Sequence, residues 1–324
     1  MLGNHIESPL VTIVTVTYNS SAYVRDAIES VLAQQYANFE YIIGDDCSTD
    51  NTWEIIQSYK DSRIRAYRNE TNLREYPNRN KAIALATGKY LIFIDGDDVI
   101  YPHGLEFMVR MIESFPDAAM AIMRKYHPKL IYPVEVTPHD LFVAEYFDKS
   151  LLDIAFTNTF FKTEVLREVG SLPIDYISGD TYVRLKIAKT KSCVLIGDSL
   201  TWWRMTPGQA TLKAMSSILG DMQHYQCRVR MLDEDSPFTD EEKSSALKNL
   251  RYKVVHKAMR MLLKGHLKRS YQLLKTTGLL WKLPACLLYT YTTIDPFASY
   301  SAVNPKKISF EQNPYSSKKK TLNG

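Results

Sequence analysis

The chain has 324 residues, 45% of them apolar and 23% charged, and a formal net charge of +4. This is ordinary globular usage, with room for one large α/β domain and an appendage or for two domains. A charge this small gives no reason to expect a nucleic-acid partner, and no apolar run approaches the ~20 residues of a membrane-spanning helix.

No basic region followed by an apolar stretch opens the chain, so no signal peptide is expected. Cys47, Cys193, Cys227 and Cys286 are scattered, with no CxxC pair. That spacing argues against a zinc site or a disulfide framework and points to a reducing cytoplasm.

In chain order, residues 10–17 (LVTIVTVT) form a β-branched apolar run that predicts a strand covered on both faces. Tyr18-Asn19-Ser20-Ser21 supplies a turn and an N-cap, and Val24, Ile28, Val31 and Leu32 then repeat at helical spacing. Residues 39–43 predict a second strand ending at Gly44-Asp45-Asp46. Asn51 and Glu54 are spaced to box the start of the next helix. A short strand at Arg63–Arg68 and an alanine-rich helix at Asn78–Thr87, closed by Gly88 as a C-cap, follow. Residues 90–102 (YLIFIDGDDVIYP) predict a fourth strand running into three carboxylates, and a helix follows near 102–114.

Strand and helix alternating four times predict a parallel, doubly wound sheet, which binds ligands beyond the carboxyl ends of its strands. Asp45 and Asp46 after strand two, and Asp95, Asp97 and Asp98 after strand four, therefore share one edge. Carboxylates this crowded repel one another, and the simplest partner for them is a divalent cation. Beyond Pro116 the pattern predicts strands within 119–136, a helix over 138–147 opened by Thr137-Pro138, and a strand over 155–161. A short helix over 163–168 ended by Gly170, a helix over 180–189 and a hairpin or paired strands over 193–204 follow. From about 211 to 283 the reading is almost wholly helical.

VTIVTVTYNS, DDCSTD, NKAIALATG and YLIFIDGDD, in this order and spacing, resemble the nucleotide-sugar half of the inverting family 2 glycosyltransferases of GT-A fold. The likeness extends to about residue 210. It implies a Rossmann-like, mostly parallel sheet with flanking helices: a catalytic domain over 1–210, with a nucleotide-binding half to 115 and an acceptor half from 116. A helical region over 211–300 and a polar tail over 301–324 would follow. It implies Mn2+ or Mg2+ on Asp97, and Asp95 and Gly96 against the ribose or sugar. Asp45 or Asp46 would face uracil, with Val16 and Tyr18 beside the base, and Arg79, Asn80 and Arg204 would serve the rest of the donor. Asp180 would be the general base, with Asn158 and Trp203 toward the acceptor.

Three positions depart from the family pattern. Cys47 and Gly179 replace its usual glycine and glutamate, and Thr206 stands where a metal-binding histidine often appears. The implied activity moves a sugar from a nucleotide-sugar donor, UDP-linked, to a glycan or lipid-linked acceptor in cell-surface polysaccharide synthesis.

Two alternatives remain open. Asp95-Gly96-Asp97-Asp98-Val99 also fits the nucleophile motif of haloacid-dehalogenase-type phosphatases, although their distal motif needs an acid where this chain has Arg184. A nucleotide-sugar-binding protein without turnover would carry the same motifs. In the last third, Val255, Met259, Leu262 and Leu263 beside Lys253, Lys257, Arg260 and Lys264 read as a basic amphipathic helix, and an aromatic-rich apolar segment from Gly278 follows. This suits peripheral contact with a membrane or packing against the catalytic domain.

Overall fold

The computed structural model describes residues 8–298 apart from 126, 128, 171, 177 and 207–216. The expected boundary near 208–215 and the polar tail lie outside the described residues.

Strand β1 (Val11–Thr17) is buried along its whole length, as its β-branched run predicts. It lies between parallel neighbours β2 (Phe39–Asp45) and β4 (Tyr90–Phe93), and β3 (Ile64–Arg68) pairs with β2. With β6 (Met120–Arg124), β7 (Val134–Val136), β8 (Thr159–Lys162) and β9 (Cys193–Gly197) they make an eight-stranded sheet in the order β3-β2-β1-β4-β8-β6-β9-β7. Strands β8 and β7 run antiparallel to their neighbours. A separate two-stranded ribbon pairs β5 (Val99–Ile100) with β10 (Thr201–Trp202). The expected pairing within 193–204 is therefore corrected, because β9 joins the main sheet while β10 folds onto β5.

Alternate residues of β1 enter different cores. Val11 and Ile13 meet α1 (Val24–Leu32), α2 (Thr52–Ser58) and α4 (Gly104–Glu113), whereas Val14 and Val16 meet α3 (Glu75–Leu85), α5 (Pro138–Phe147), α6 (Thr163–Glu168) and α7 (Gly179–Ala188). This is the doubly wound arrangement. Thr137 caps α5, its hydroxyl accepting the Asp140 N–H, and Gly170 ends the α6 turn at φ +87°.

Several local expectations fail for visible reasons. The α2 start is tied by Asp50, whose carboxylate accepts the Thr52 N–H at 3.0 Å, and not by an Asn51–Glu54 box. Helix α3 begins three residues early, at Glu75. Gly88 is no left-handed cap; a Cβ there would lie 2.5 Å from the Thr12 backbone nitrogen, so glycine answers a close approach to β1. Part of the predicted strand at 155–161 is a 3-10 turn, Phe156–Asn158.

Helices α8 (Ile218–Arg230), α9 (Asp240–Leu263), α10 (Leu267–Thr276) and α11 (Leu283–Leu287) follow. Phe238 enters a nest of Phe142, Tyr146 and Phe147 on α5. Beside it, buried Arg228 reaches Glu145 and Asp153, each at 3.1 Å. A buried guanidinium needs such partners, and removing one leaves an uncompensated charge that costs about 3–5 kcal/mol.

His224 lies 3.2 Å from Asp153, yet its pKa falls to about 4, because packing strips water from the ring and Arg228 adds positive charge. An unfolded histidine takes its proton near about 6.5. Below that pH the unfolded chain binds the extra proton, so stability is lost as pH falls from about 6.5 toward 4. The urea midpoint should drop between about pH 7 and pH 5, and less so in His224→Gln. An equal drop in that variant would assign the effect to other groups.

Candidate active site

Strands β1, β2 and β4 deliver three loops to one edge of the sheet. Thr17 pairs in register with Asp45, and the Asp46 N–H donates to the Thr17 carbonyl at 2.9 Å. Asp45 is fully buried. Its carboxylate accepts the Ser48 N–H and hydroxyl and pairs with Arg68 Nε at 3.3 Å. Asp46 accepts from Asn69 Nδ2 at 2.9 Å and from the Leu73 and Arg74 N–H groups at 2.9 and 2.8 Å. The pair expected to face a base thus ties residues 68–74 over the strand ends. Cys47 between them and Ser48 sits at φ +62°, the left-handed region in which a glycine would be unstrained. Val16 is buried in β1, and Tyr18 just beyond it is 49% exposed.

The turn after β4 is closed by the Asp98 N–H donating to the Asp95 carbonyl at 2.9 Å. Asp95 pairs at 2.8 Å with Arg79, which is 3% exposed and reaches Glu75 at 3.1 Å with its other arm. The Arg79 guanidinium lies 5.2 and 5.0 Å from the ring centres of Phe93 and Phe156. Arg79, expected to face the donor, is thus already engaged by two carboxylates.

Gly96 also has a different cause from the one expected. A Cβ there would come within 2.7 Å of Thr17 Oγ1, so the close approach is to β1. Asp97 Oδ2 accepts the Thr206 hydroxyl at 2.9 Å, so the loop that lacks histidine still reaches the same carboxylate. Asp98 accepts the Arg204 N–H at 3.0 Å. Loss of water, with Asp95 nearby, pushes Asp98 up to about 8 and also raises Asp97.

Other expected donor and acceptor residues have structural partners. Arg204 donates to the Asp97 carbonyl at 2.8 Å and to Asp26 at 2.8 Å, and stacks on Tyr23 and Trp202. It therefore pins the acidic turn to α1. Asn80 does not join the cluster, because its amide holds both the N–H and the carbonyl of Leu172 at 2.9 and 2.8 Å. Asn158 accepts from Thr201 at 2.7 Å, and Trp203 is half-buried.

Asp180 stands at the first turn of α7 and pairs with Arg184 at 2.6 Å. Arg184 is fully buried, donating also to the Leu152 and Ile154 carbonyls, each at 2.9 Å. The Phe156 ring centre lies 5.8 Å from this guanidinium and 5.0 Å from that of Arg79. Tyr76 accepts the Gly179 N–H at 2.8 Å, and a Cβ on Gly179 would sit 3.0 Å from its ring. The glutamate of the family pattern would need that ring to give by a few tenths of an ångström. Glu75 senses the whole group: loss of water raises its carboxyl, Arg79 opposes, and Asp95 and Asp180 add to the rise. Asp95 and Asp180, far apart in sequence, thus both act on Glu75.

Glu75 and the role of Arg184 were not foreseen from sequence. Both sit in acid–arginine pairs spaced i,i+4, Glu75–Arg79 and Asp180–Arg184, so the spacing was a usable signal.

Among the described residues no group of three or more His, Cys, Asp or Glu is arranged to hold a metal by itself. Asp97 spends one oxygen on Thr206, and buried Asp98 Oδ2 has no hydrogen-bond partner. One or two carboxylates with a ligand's phosphates is how Mg2+ or Mn2+ is commonly held, and the turn fits that shared arrangement.

The sheet order and the acidic turn beyond β4 define a fold of GT-A class. Residues 12–170 match the model of glycosyl transferase family 2, and the chain carries a domain of that family. Over 89 residues it is 44% identical to an Escherichia coli protein named UDP-Glc:alpha-D-GlcNAc-diphosphoundecaprenol beta-1,3-glucosyltransferase WfaP, the match covering 28% of this chain and 36% of that protein. Staphylococcus aureus TarS 1–349, solved with UDP-GlcNAc, aligns with a TM-score of 0.66 at 18% identity, covering 83% of this chain and 79% of that one. Mannosyltransferase PcManGT of Pyrobaculum calidifontis, solved with GDP-Man and Mn2+, aligns at 0.60 and 17% identity, covering 91% and 84%. At these identities the two structures speak for the fold alone.

Cys47→Gly should remove left-handed strain and stabilise the chain by about 1 kcal/mol, read as a higher urea midpoint at unchanged slope. A lower midpoint would mean that the Cys47 side chain contributes more than its backbone costs.

Proposed function

We propose that this chain is an inverting, metal-dependent glycosyltransferase. It moves a sugar from a nucleotide-diphosphate donor, UDP-linked, to a glycan or lipid-linked saccharide in cell-surface polysaccharide synthesis. The observation that carries the reading is the acidic Asp95–Asp98 turn beyond β4, with Asp95 held by buried Arg79 as Asp180 is held by buried Arg184.

Asp97, with Asp98 beside it, would hold Mn2+ or Mg2+ against the donor diphosphate, and the ion would offset the charge that develops on the leaving group. The need for it follows from the guanidinium partners: Arg79, Arg184 and Arg204 are each engaged by a protein carboxylate. Tyr18, half-exposed beyond β1, offers a ring face to a base, with Val16 beneath it and the Asp46 loop alongside.

Asp180 would accept the proton of the acceptor hydroxyl as that oxygen attacks the anomeric carbon from the face opposite the nucleotide. Arg184 holds the carboxylate in one orientation. The WfaP name pairs a UDP-sugar with a lipid diphosphate acceptor, which supports the same substrate classes here. All four cysteines are unpaired, in keeping with work on the cytoplasmic side.

Calorimetric titration of UDP, GDP and CDP, with and without Mn2+, tests the donor site. UDP should bind tightly only with metal, and Asp97→Ala should abolish that dependence. Asp180→Asn should keep donor affinity while turnover falls about 10³-fold; unchanged turnover would sink Asp180 as the base. Donor binding without transfer to any acceptor would leave a silent binding protein. Phosphate release from an aryl phosphate, lost in Asp95→Asn, would make the chain a phosphatase.

A further inference from the structure

Only part of the expected amphipathic face of α9 is used inside the molecule. Val255 is buried and Met259 packs against the small core formed with α10 and α11, while Lys257 pairs with Asp221 and Lys253 lies over the Tyr291 ring. Its other expected residues, Leu262 and Leu263, stay exposed and are joined by further exposed apolar side chains on the same helical unit. Trp281 is 90% exposed, Leu288 88% and Leu263 83%, with Leu267 and Tyr271 also open. Every residue from Leu262 to Arg269 is exposed. Trp281 and Leu288 lie seven residues apart, with exposed Pro284 and Ala285 between them at helical spacing. Leu283 and Cys286 face the core instead. Large apolar side chains left this exposed on one helical unit are unusual unless they meet a partner surface.

The charge around them is one-sided. From Lys243 to Ile294 the chain has eleven Lys and Arg and no Asp or Glu. With a net charge of +4 for the whole chain, the remainder carries −7. Lys264, Lys268 and Lys282 are exposed next to the apolar side chains.

We propose that this outer face of the helical unit docks on an anionic lipid bilayer. Trp281, Leu288, Leu263 and Leu267 would enter the headgroup–acyl boundary, with the lysines against acidic headgroups. No helix among the described residues is long and apolar enough to cross a membrane, so the contact is of the surface kind. A two-fold dimer through the same face would set this acid-free surface against its own copy, cation against cation. In purpose the inference rests on the transferase reading, since a lipid-linked acceptor lies in a bilayer; the contact itself does not depend on it.

Full-length protein is floated with vesicles of phosphatidylcholine alone or with about a third phosphatidylglycerol. Binding should require the anionic lipid and weaken in about 0.5 M salt. Trp281→Ser with Leu288→Ser, and separately Lys264→Glu with Lys268→Glu, should each lower partitioning at least about tenfold at unchanged thermal midpoint. Three outcomes overturn the proposal: no vesicle binding by the wild type, binding indifferent to both variants, or a wild-type dimer in sedimentation that the Trp281→Ser, Leu288→Ser variant makes monomeric. Vesicle binding in a protein that binds no nucleotide would count against the transferase reading alone. Nucleotide turnover without vesicle binding would count against the docking face alone.

Discussion

The Arg79 guanidinium, packed beside the stacked rings of Phe93 and Phe156, is the contact on which the acidic turn depends. A charge that far from water is tolerable only with opposite charge at contact distance, and Asp95 and Glu75 supply it from two directions. One side chain thereby fixes the start of α3, the acidic turn beyond β4 and the 3-10 turn that carries Phe156. Arg184, near the same Phe156 ring, repeats the device. It is bound by backbone carbonyls at 152 and 154 and by Asp180. Asp95 and Asp180 are thus each held by a buried cation.

This explains which parts of the fold and site were legible in the chain. Strands β1, β2 and β4 announce themselves because buried parallel strands need unbroken β-branched and aromatic runs, and the acidic turns follow from where such strands end. Asp95, Asp97 and Asp180 could be named on motif order. Which partner each would take was hidden, because partners come from elements tens of residues away. Asp46 was read as open to a base, yet Asn69, Leu73 and Arg74 hold it. Gly96 and Gly88 were read as a ligand approach and a helix cap, yet both are small because a β1 threonine lies against them. Tertiary proximity overrode local rules in each case.

The helical unit is held by a different kind of contact. Its join to α5 mixes an aromatic nest around Phe238 with the charge group of Arg228, Glu145 and Asp153, so it is both packed and specific in orientation. The basic residues concentrate beyond this join, while the acid-rich remainder of the chain carries the cleft. The molecule is therefore electrically two-sided, which is consistent with an anionic donor needing a small cation at one end and an anionic surface being favoured at the other.

Gly179 against the Tyr76 ring has a consequence for how this site can vary. The ring occupies the space a larger residue before Asp180 would need, and its hydroxyl accepts the N–H that opens α7. Positions 76 and 179 are therefore coupled. A side chain at 179 requires the Tyr76 ring to give by a few tenths of an ångström, and a shorter residue at 76 would lift that demand. A change at either position acts first on the helix turn that carries Asp180.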